Sequence, residues 1–230
     1  MFQLKQNEQI LKNEMAKLKN EITLIVFTDV KENEKGEKIR RCMSCDGTIN
    51  LLEGLSEFSN GKLTIEEKSI DLDVEDAKKY DVDRIPTILF TDDEDNVMIR
   101  YMANPLGSET APFIQTLIHY SGVRSFYQDT IISHLKKMDE STLKLFITLQ
   151  CPYCPGVVPI VNLFALLSRN KIKTEIVDVD VNNDLAMKYK VSGVPHVMIN
   201  EDRHLYGVFS PQDLLEKLTR GQRDLGGMYA

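Results

Sequence analysis

Cys42-Met43-Ser44-Cys45 and Cys151-Pro152-Tyr153-Cys154 each set two thiols three residues apart, and together they hold all four cysteines of this 230-residue chain. At that spacing on a helical turn the two sulfurs are neighbours, so a mixed disulfide formed on one can be released by attack of the other. The second motif follows the apolar run Leu143-Lys144-Leu145-Phe146-Ile147-Thr148-Leu149 and precedes Val157 to Leu167, whose apolar residues recur at helical spacing. A strand feeding a helix is expected. Cys151 then stands at or just before a helix N-terminus, where unpaired backbone N–H groups and the positive end of the dipole favour a thiolate. This predicts Cys151 as the exposed nucleophile and Cys154 as the resolving thiol. Pro152 lacks an N–H, fits the first helical turn and stiffens it, with Tyr153 beside it as further support. The same spacing also suits a structural metal site or two inert buried cysteines.

Val191-Ser192-Gly193-Val194-Pro195-His196 leads into the strand-like Val197-Met198-Ile199. A proline entering a strand after a turn is a candidate for a cis peptide bond.

Cys-Pro-Tyr-Cys, the strand Thr174 to Val181, and Gly-Val-Pro ahead of a strand resemble the glutaredoxin and thioredoxin fold. The resemblance implies that the cis-proline loop faces the Cys-x-x-Cys motif and that Val194 and Pro195 bind substrate, Val194 through its backbone. Thioredoxins keep a buried aspartate six residues before the first cysteine. Leu145 and Gly36 stand at that count here, which favours a glutaredoxin-like or disulfide-oxidoreductase reading.

The chain also repeats itself. Cys42 lies 109 residues before Cys151, and Pro86 of Arg84-Ile85-Pro86-Thr87 lies 109 before Pro195. At the same offset Ile70-Asp71-Leu72 matches Val179-Asp180-Val181, and Ala77, Lys79, Tyr80 and Val82 match Ala186, Lys188, Tyr189 and Val191. Ile85 and Pro86 therefore inherit the substrate-binding expectation, and Cys42 and Cys45 form a second redox pair or, alternatively, a stable disulfide or electron relay. This tandem layout is similar to the protein disulfide oxidoreductases. The fold class is α/β, two tandem thioredoxin-fold units, each a mixed sheet with helices on both faces.

Each unit reads as a leading helix followed by β-α-β-α-β-β-α. The leading helices are 5–19, with Ile10, Leu11, Met15 and Leu18 on one face, and 125–137, with Ile131 and Ile132 matching Ile10 and Leu11. The first strands, 22–27 and 143–149, stand 121 residues apart, so the first copy gains 12 residues within the charged stretch Thr28 to Arg41. A solvated loop is expected there, with a flap over the first pair as the alternative. The units are 1–121 with Cys-Met-Ser-Cys and 122–220 with Cys-Pro-Tyr-Cys, followed by a tail, 221–230. Arg40 and Arg41 would favour a Cys42 thiolate if they point at the sulfur, whereas Asp46 would oppose it.

Apolar residues are 42% and charged residues 27% of the chain, with a net charge of −7. That charge argues against a general nucleic-acid binder. No run is long enough to span a bilayer, and the first residues lack a signal peptide's basic start and apolar core, so a cytoplasmic location is expected. Paired cysteines there point to catalysis or metal binding more than to staples. No phosphate-binding glycine loop appears, so no flavin or nicotinamide of its own is expected. Electrons for a reductase cycle would then come from another protein. The layout is similar to the N-terminal module of the flavoprotein that reduces peroxiredoxins, and that resemblance implies electrons arriving from a flavin-dependent, thioredoxin-reductase-like protein and passing to protein disulfides or a peroxiredoxin. The remaining alternative is a non-catalytic protein holding zinc or partners through its cysteines. No metal site is assigned: Asp178 and Asp180 read as solvated charges, and His196 as loop filling.

Overall fold

The structure is a computed structural model that describes residues 8–219. The predicted tail, 221–230, and the ends of the helices expected to begin at 5 and to close at 220 lie outside the described residues. Helix α1 (Glu8–Met15) leads into β1 (Ile22–Thr28), the hairpin β2 (Lys31–Glu32) and β3 (Lys38–Ile39), then α2 (Cys45–Glu57), β4 (Leu63–Ser69), α3 (Val74–Lys79), β5 (Thr87–Thr91), β6 (Val97–Met102) and α4 (Thr110–Tyr120). The second half runs α5 (Gln128–His134), β7 (Ser141–Ile147), α6 (Val158–Leu167), β8 (Ile172–Asp178), α7 (Asn183–Lys188), β9 (His196–Ile199), β10 (Arg203–Tyr206) and α8 (Pro211–Leu218).

The two halves share one sheet. Its eight strands run β10-β9-β7-β8-β6-β5-β1-β4, joined at the middle by a parallel pairing of β6 with β8 from Ile99↔Thr174 to Met102↔Val177. Within each half the pattern repeats: β1 is parallel to β4 and antiparallel to β5, as β7 is to β8 and β9. The sequence repeat predicts a mixed sheet in each half, and the pairing of β6 with β8 makes them continuous.

Strand alternation divides the core. On one face a large cluster drawn from both halves includes Leu24, Val26, Leu52, Phe113, Leu143, Leu145, Phe164 and the second cysteine pair. On the other, Ile25, Phe27 and Leu89 pack under α3, and Phe146, Val177 and Met198 pack with Leu185 of α7 and with Met102. Met102 comes from β6, so the first half contributes a side chain to the second half's smaller cluster.

Backbone pairing corrects the repeat register. Ile22 pairs with Leu63 and Ser141 with Ile172, so the strands correspond at an offset of 119, against 109 for the cysteines. The insertion is ten residues, not 12. It forms the β2–β3 hairpin, closed by a turn in which Asn33 Oδ1 accepts the backbone N–H groups of Lys35 and Glu37. The leading helices also differ from expectation. Leu11, Met15 and Leu18 are buried, but Ile10 is 60% exposed, and in the second half Ile131 is buried while Ile132 is 41% exposed. In each of these two helices only one member of the adjacent apolar pair faces the core, successive positions pointing about 100° apart.

Candidate functional site

Both cysteine pairs lie beyond the C-terminal ends of β1 and β7, interior strands that each pair with a neighbour on both sides. Ile147 ends β7 four residues before Cys151, whose N–H donates to Thr148 O at 3.2 Å. The antiparallel register Phe146↔His196 puts Pro195 at the same end of the sheet, and Phe27↔Thr87 does so for Pro86. Both Ile85-Pro86 and Val194-Pro195 are cis, as the turn-proline-strand order predicted. Val194 packs against the core cluster that contains Cys151 and Cys154, and the Pro195 carbonyl accepts the N–H of Gly207 at 2.9 Å.

The pairs are disulfides, Cys42–Cys45 and Cys151–Cys154. Cys154 N–H donates to Cys151 Sγ at 3.0 Å. A backbone donor at that sulfur stabilises negative charge on it. Cys45 opens α2 directly, whereas Cys154 opens a short 3-10 turn, Cys154–Gly156, before α6 begins at Val158. Cys154 and Cys45 are fully buried. Cys151, predicted to be exposed, is only 6% exposed, and Cys42 is the more open of the two first cysteines. Tyr153 and Met43 are the exposed residues between the cysteines.

The cover over the second pair comes from the first half. Asn104 to Glu109 runs between the two motifs: Asn104 Nδ2 donates to Ser44 O at 3.5 Å, and Ser108 Oγ donates to Leu149 O at 2.9 Å. Any side chain at Gly47 would meet Asn104 Nδ2 at 3.1 Å, so the segment sits tightly on the start of α2. Its turn Gly107–Glu109 packs on the Cys154–Gly156 turn. Sequence spacing could not reveal this bridge, because Glu109 lies over 40 positions from either pair.

Glu109 is fully buried, receives the Tyr101 hydroxyl at 3.3 Å on Oε2, and has no partner on Oε1. Burial pushes its carboxyl up to about 7, aided by the nearby Asp178 charge and opposed by the Tyr101 hydrogen bond. Asp178, expected in solvent, is 2% exposed; burial raises its carboxyl too, while the Asp180 N–H donates to it at 3.0 Å. The residues six positions before the first cysteine of each pair also need correction. Leu145 occupies that place on β7, but its counterpart across the paired strands is Val26, since Gly36 belongs to the inserted hairpin.

Arg40 does not face the Cys42 sulfur as a free cation. Its Nε and Nη2 donate to Glu67 at 2.6 Å each, and Nη1 donates to Asp46 at 2.9 Å. Asp29 instead meets Cys42: its Oδ2 accepts the N–H groups of Arg41 and Cys42, both at 3.0 Å, and its Oδ1 is buried without a partner. His196 is buried against Phe146 and Tyr206, with Nε2 2.8 Å from His204 Nδ1. Burial and the neighbouring imidazole lower its proton affinity. Among the described residues no group of three or more His, Cys, Asp or Glu side chains is placed to hold a metal. A cavity of about 580 Å³ lined by Tyr120, Val123, Leu163 and Leu167 borders neither cysteine pair.

Residues 141–219 match the thioredoxin domain model. A solved protein disulfide oxidoreductase from Aeropyrum pernix K1 superposes with a TM-score of 0.75 at 25% identity, covering 92% of this chain and 90% of that one. The N-terminal domain of the alkylhydroperoxide reductase AhpF from Enterococcus faecalis superposes at 0.74 and 21% identity, over 93% and 98%, which extends the thioredoxin fold to both halves. An alkyl hydroperoxide reductase protein of Staphylococcus aureus strain MRSA252 is 26% identical over 178 residues, 76% of this chain and 32% of that protein. An NADH dehydrogenase of Ferdinandcohnia aciditolerans is 24% identical over 146 residues, 63% of this chain and 28% of that protein. The chain thus spans about a third or less of these curated relatives. Among the described residues no helix is long and apolar enough to cross a membrane.

Proposed function

We propose that this chain is a protein disulfide oxidoreductase, with units 1–121 and 122–220. The observation that carries the reading is the Cys151–Cys154 pair on a thioredoxin scaffold, with the Cys151 sulfur accepting a backbone N–H and Pro195 at the same sheet end. In the reducing direction the Cys151 thiolate attacks a substrate disulfide, breaking its S–S bond and forming a mixed disulfide. Cys154, losing its proton, then attacks Cys151 Sγ, releasing the substrate as a dithiol and leaving Cys151–Cys154 oxidised. Two electrons and two protons pass to the substrate. Val194 and Pro195 receive the substrate backbone, and Ile85 and Pro86 do so at Cys42–Cys45. Pro152 and Tyr153 shape the rim of the second pair. Buried Glu109, its carboxyl raised to about 7, sits in the turn that packs on the Cys154–Gly156 turn and is suited to exchange protons at that end of the sheet.

Substrates are proteins carrying disulfides or dithiols, and the cytoplasm is the inferred setting. A narrower second reading is an electron-transfer module between a flavin-dependent reductase and a peroxiredoxin; it is favoured by the Staphylococcus aureus relative named as an alkyl hydroperoxide reductase.

Insulin disulfide reduction in the presence of dithiothreitol tests the proposal with wild type, Cys151→Ser and Cys42→Ser. Loss in Cys151→Ser alone makes the second pair the working site, and loss in both makes the pairs act in series. An inactive wild type that purifies with zinc on its cysteines overturns the oxidoreductase reading.

A further inference from the structure

The first pair has a carboxylate where the second has a backbone carbonyl. At the strand offset of 119, Asp29 corresponds to Thr148. Cys151 N–H donates to the Thr148 carbonyl at 3.2 Å, through a turn too short to bring any side chain between them. In the first half the ten inserted residues leave β1, fold as the β2–β3 hairpin and return the chain to the residue after the strand. There the Asp29 side chain takes over as acceptor for Cys42 N–H at 3.0 Å. Resting on the oxidoreductase reading above, we propose that Asp29 is a positioning residue of the first pair: it holds the Cys42 backbone and its negative charge makes the Cys42 thiol harder to ionise.

Covalent geometry limits the distance over which that charge acts. Cys42 Sγ is three bonds from the nitrogen that Asp29 grips, which keeps the sulfur in the neighbourhood of the carboxylate, where a like charge disfavours ionisation. Neighbouring cations are already committed. Arg40 is held by Glu67 and Asp46, Lys38 faces Glu67 at 3.4 Å, and Lys31 pairs with Asp71 at 2.7 Å. The Arg41 side chain is exposed, and its backbone N–H shares the Asp29 oxygen. The α2 N-terminus acts in the opposite sense on Cys42. Asp29 Oδ1 is buried without a hydrogen-bond donor, so that oxygen's charge is not offset by a bond.

Asp29→Asn retains an oxygen acceptor for both backbone N–H groups and removes the charge, whereas Asp29→Ala removes both. The reduced proteins are alkylated with iodoacetamide across a pH series, and Cys42 and Cys151 peptides are quantified by mass spectrometry. In Asp29→Asn the midpoint of Cys42 alkylation falls by about one pH unit and that of Cys151 stays in place. The first pair of this variant is also more reduced than wild type in a glutathione buffer, because a more easily ionised thiol stabilises the dithiol state. An unmoved Cys42 midpoint in Asp29→Asn overturns the proposal, including when Asp29→Ala shifts it, as does a shift shared equally by Cys151. Because the alkylation profile is read without turnover, an inactive wild type in the insulin assay counts against the oxidoreductase reading and leaves this measurement valid.

Discussion

Arg84 grips Asp184 across the two halves of the chain, its two terminal nitrogens donating to the two carboxylate oxygens at 2.9 and 2.7 Å. Arg84 immediately precedes Ile85-Pro86, and Asp184 lies in α7, which leads toward Val194-Pro195. One ion pair therefore ties the first proline loop to the helix ahead of the second. Each partner holds the other's charge: Arg84's proton is held more tightly and Asp184's carboxyl is lowered. Both groups are solvent-accessible, so the pair adds little to stability. In Arg84→Ala the Tm is expected to fall slightly at low salt, and the difference to vanish at 1 M salt, where charges are screened within about 3 Å. A Tm difference unchanged by salt would mean that Arg84 acts through packing.

Cys154→Ser leaves an attacking thiol without its resolving partner. Incubated with a disulfide protein, this variant is expected to accumulate mixed disulfides that migrate as larger species on non-reducing gels and disappear with dithiothreitol. Cys151→Ser is expected to form none through this pair, and the reverse outcome would exchange the two roles.

Glu109 makes stability depend on pH in a defined direction. Its folded value, about 7, lies above the 4.5 expected for a free glutamate, so the folded state binds the proton more tightly. Stability is then highest below the unfolded value, falls as pH rises from 4.5 toward 7, and levels off above. The full loss is on the order of 3 kcal/mol. Urea unfolding between pH 4.5 and 8 is expected to show that slope in wild type and a flatter one in Glu109→Gln, with Asp178, also raised, contributing at the acid end. Parallel curves for the two proteins would remove Glu109 as the source.

Thr116 tests how α4 and α6 join. Its hydroxyl donates to Pro112 O and accepts from Asn162 Nδ2 at 3.1 Å, with both side chains buried. Thr116→Val preserves volume but strands the Asn162 amide, an expected cost of about 1–3 kcal/mol in chemical denaturation. Thr116→Ser keeps the hydroxyl and is expected to recover most of it.

Legibility in the sequence follows the range of the interaction. Cys151, Cys154, Pro195 and their counterparts at 109 residues could be read because motif, turn and strand are contiguous. The strand offset slipped from 119 to 121 because the error equals the two-residue side-chain period, so sliding the apolar run leaves the same alternation of faces. Glu109 and Asp29 were missed for another reason. One lies in a turn of the first half that packs on the turn after Cys154, and the other meets Cys42 only after a hairpin has closed, so neither stands at a diagnostic spacing. Burial of Asp178 follows from the pairing of β6 with β8, which no local pattern encodes.

That same pairing means that the repeat boundary is not a seam. Separating the halves near residue 121 would strip β6 and β8 of their shared hydrogen bonds from Ile99↔Thr174 to Met102↔Val177. Each fragment would then present a bare strand edge beside uncovered apolar side chains, the form most open to pairing with another copy. Either half standing alone would need a different cover for that edge, so the shared sheet makes the two cysteine-bearing halves obligate neighbours.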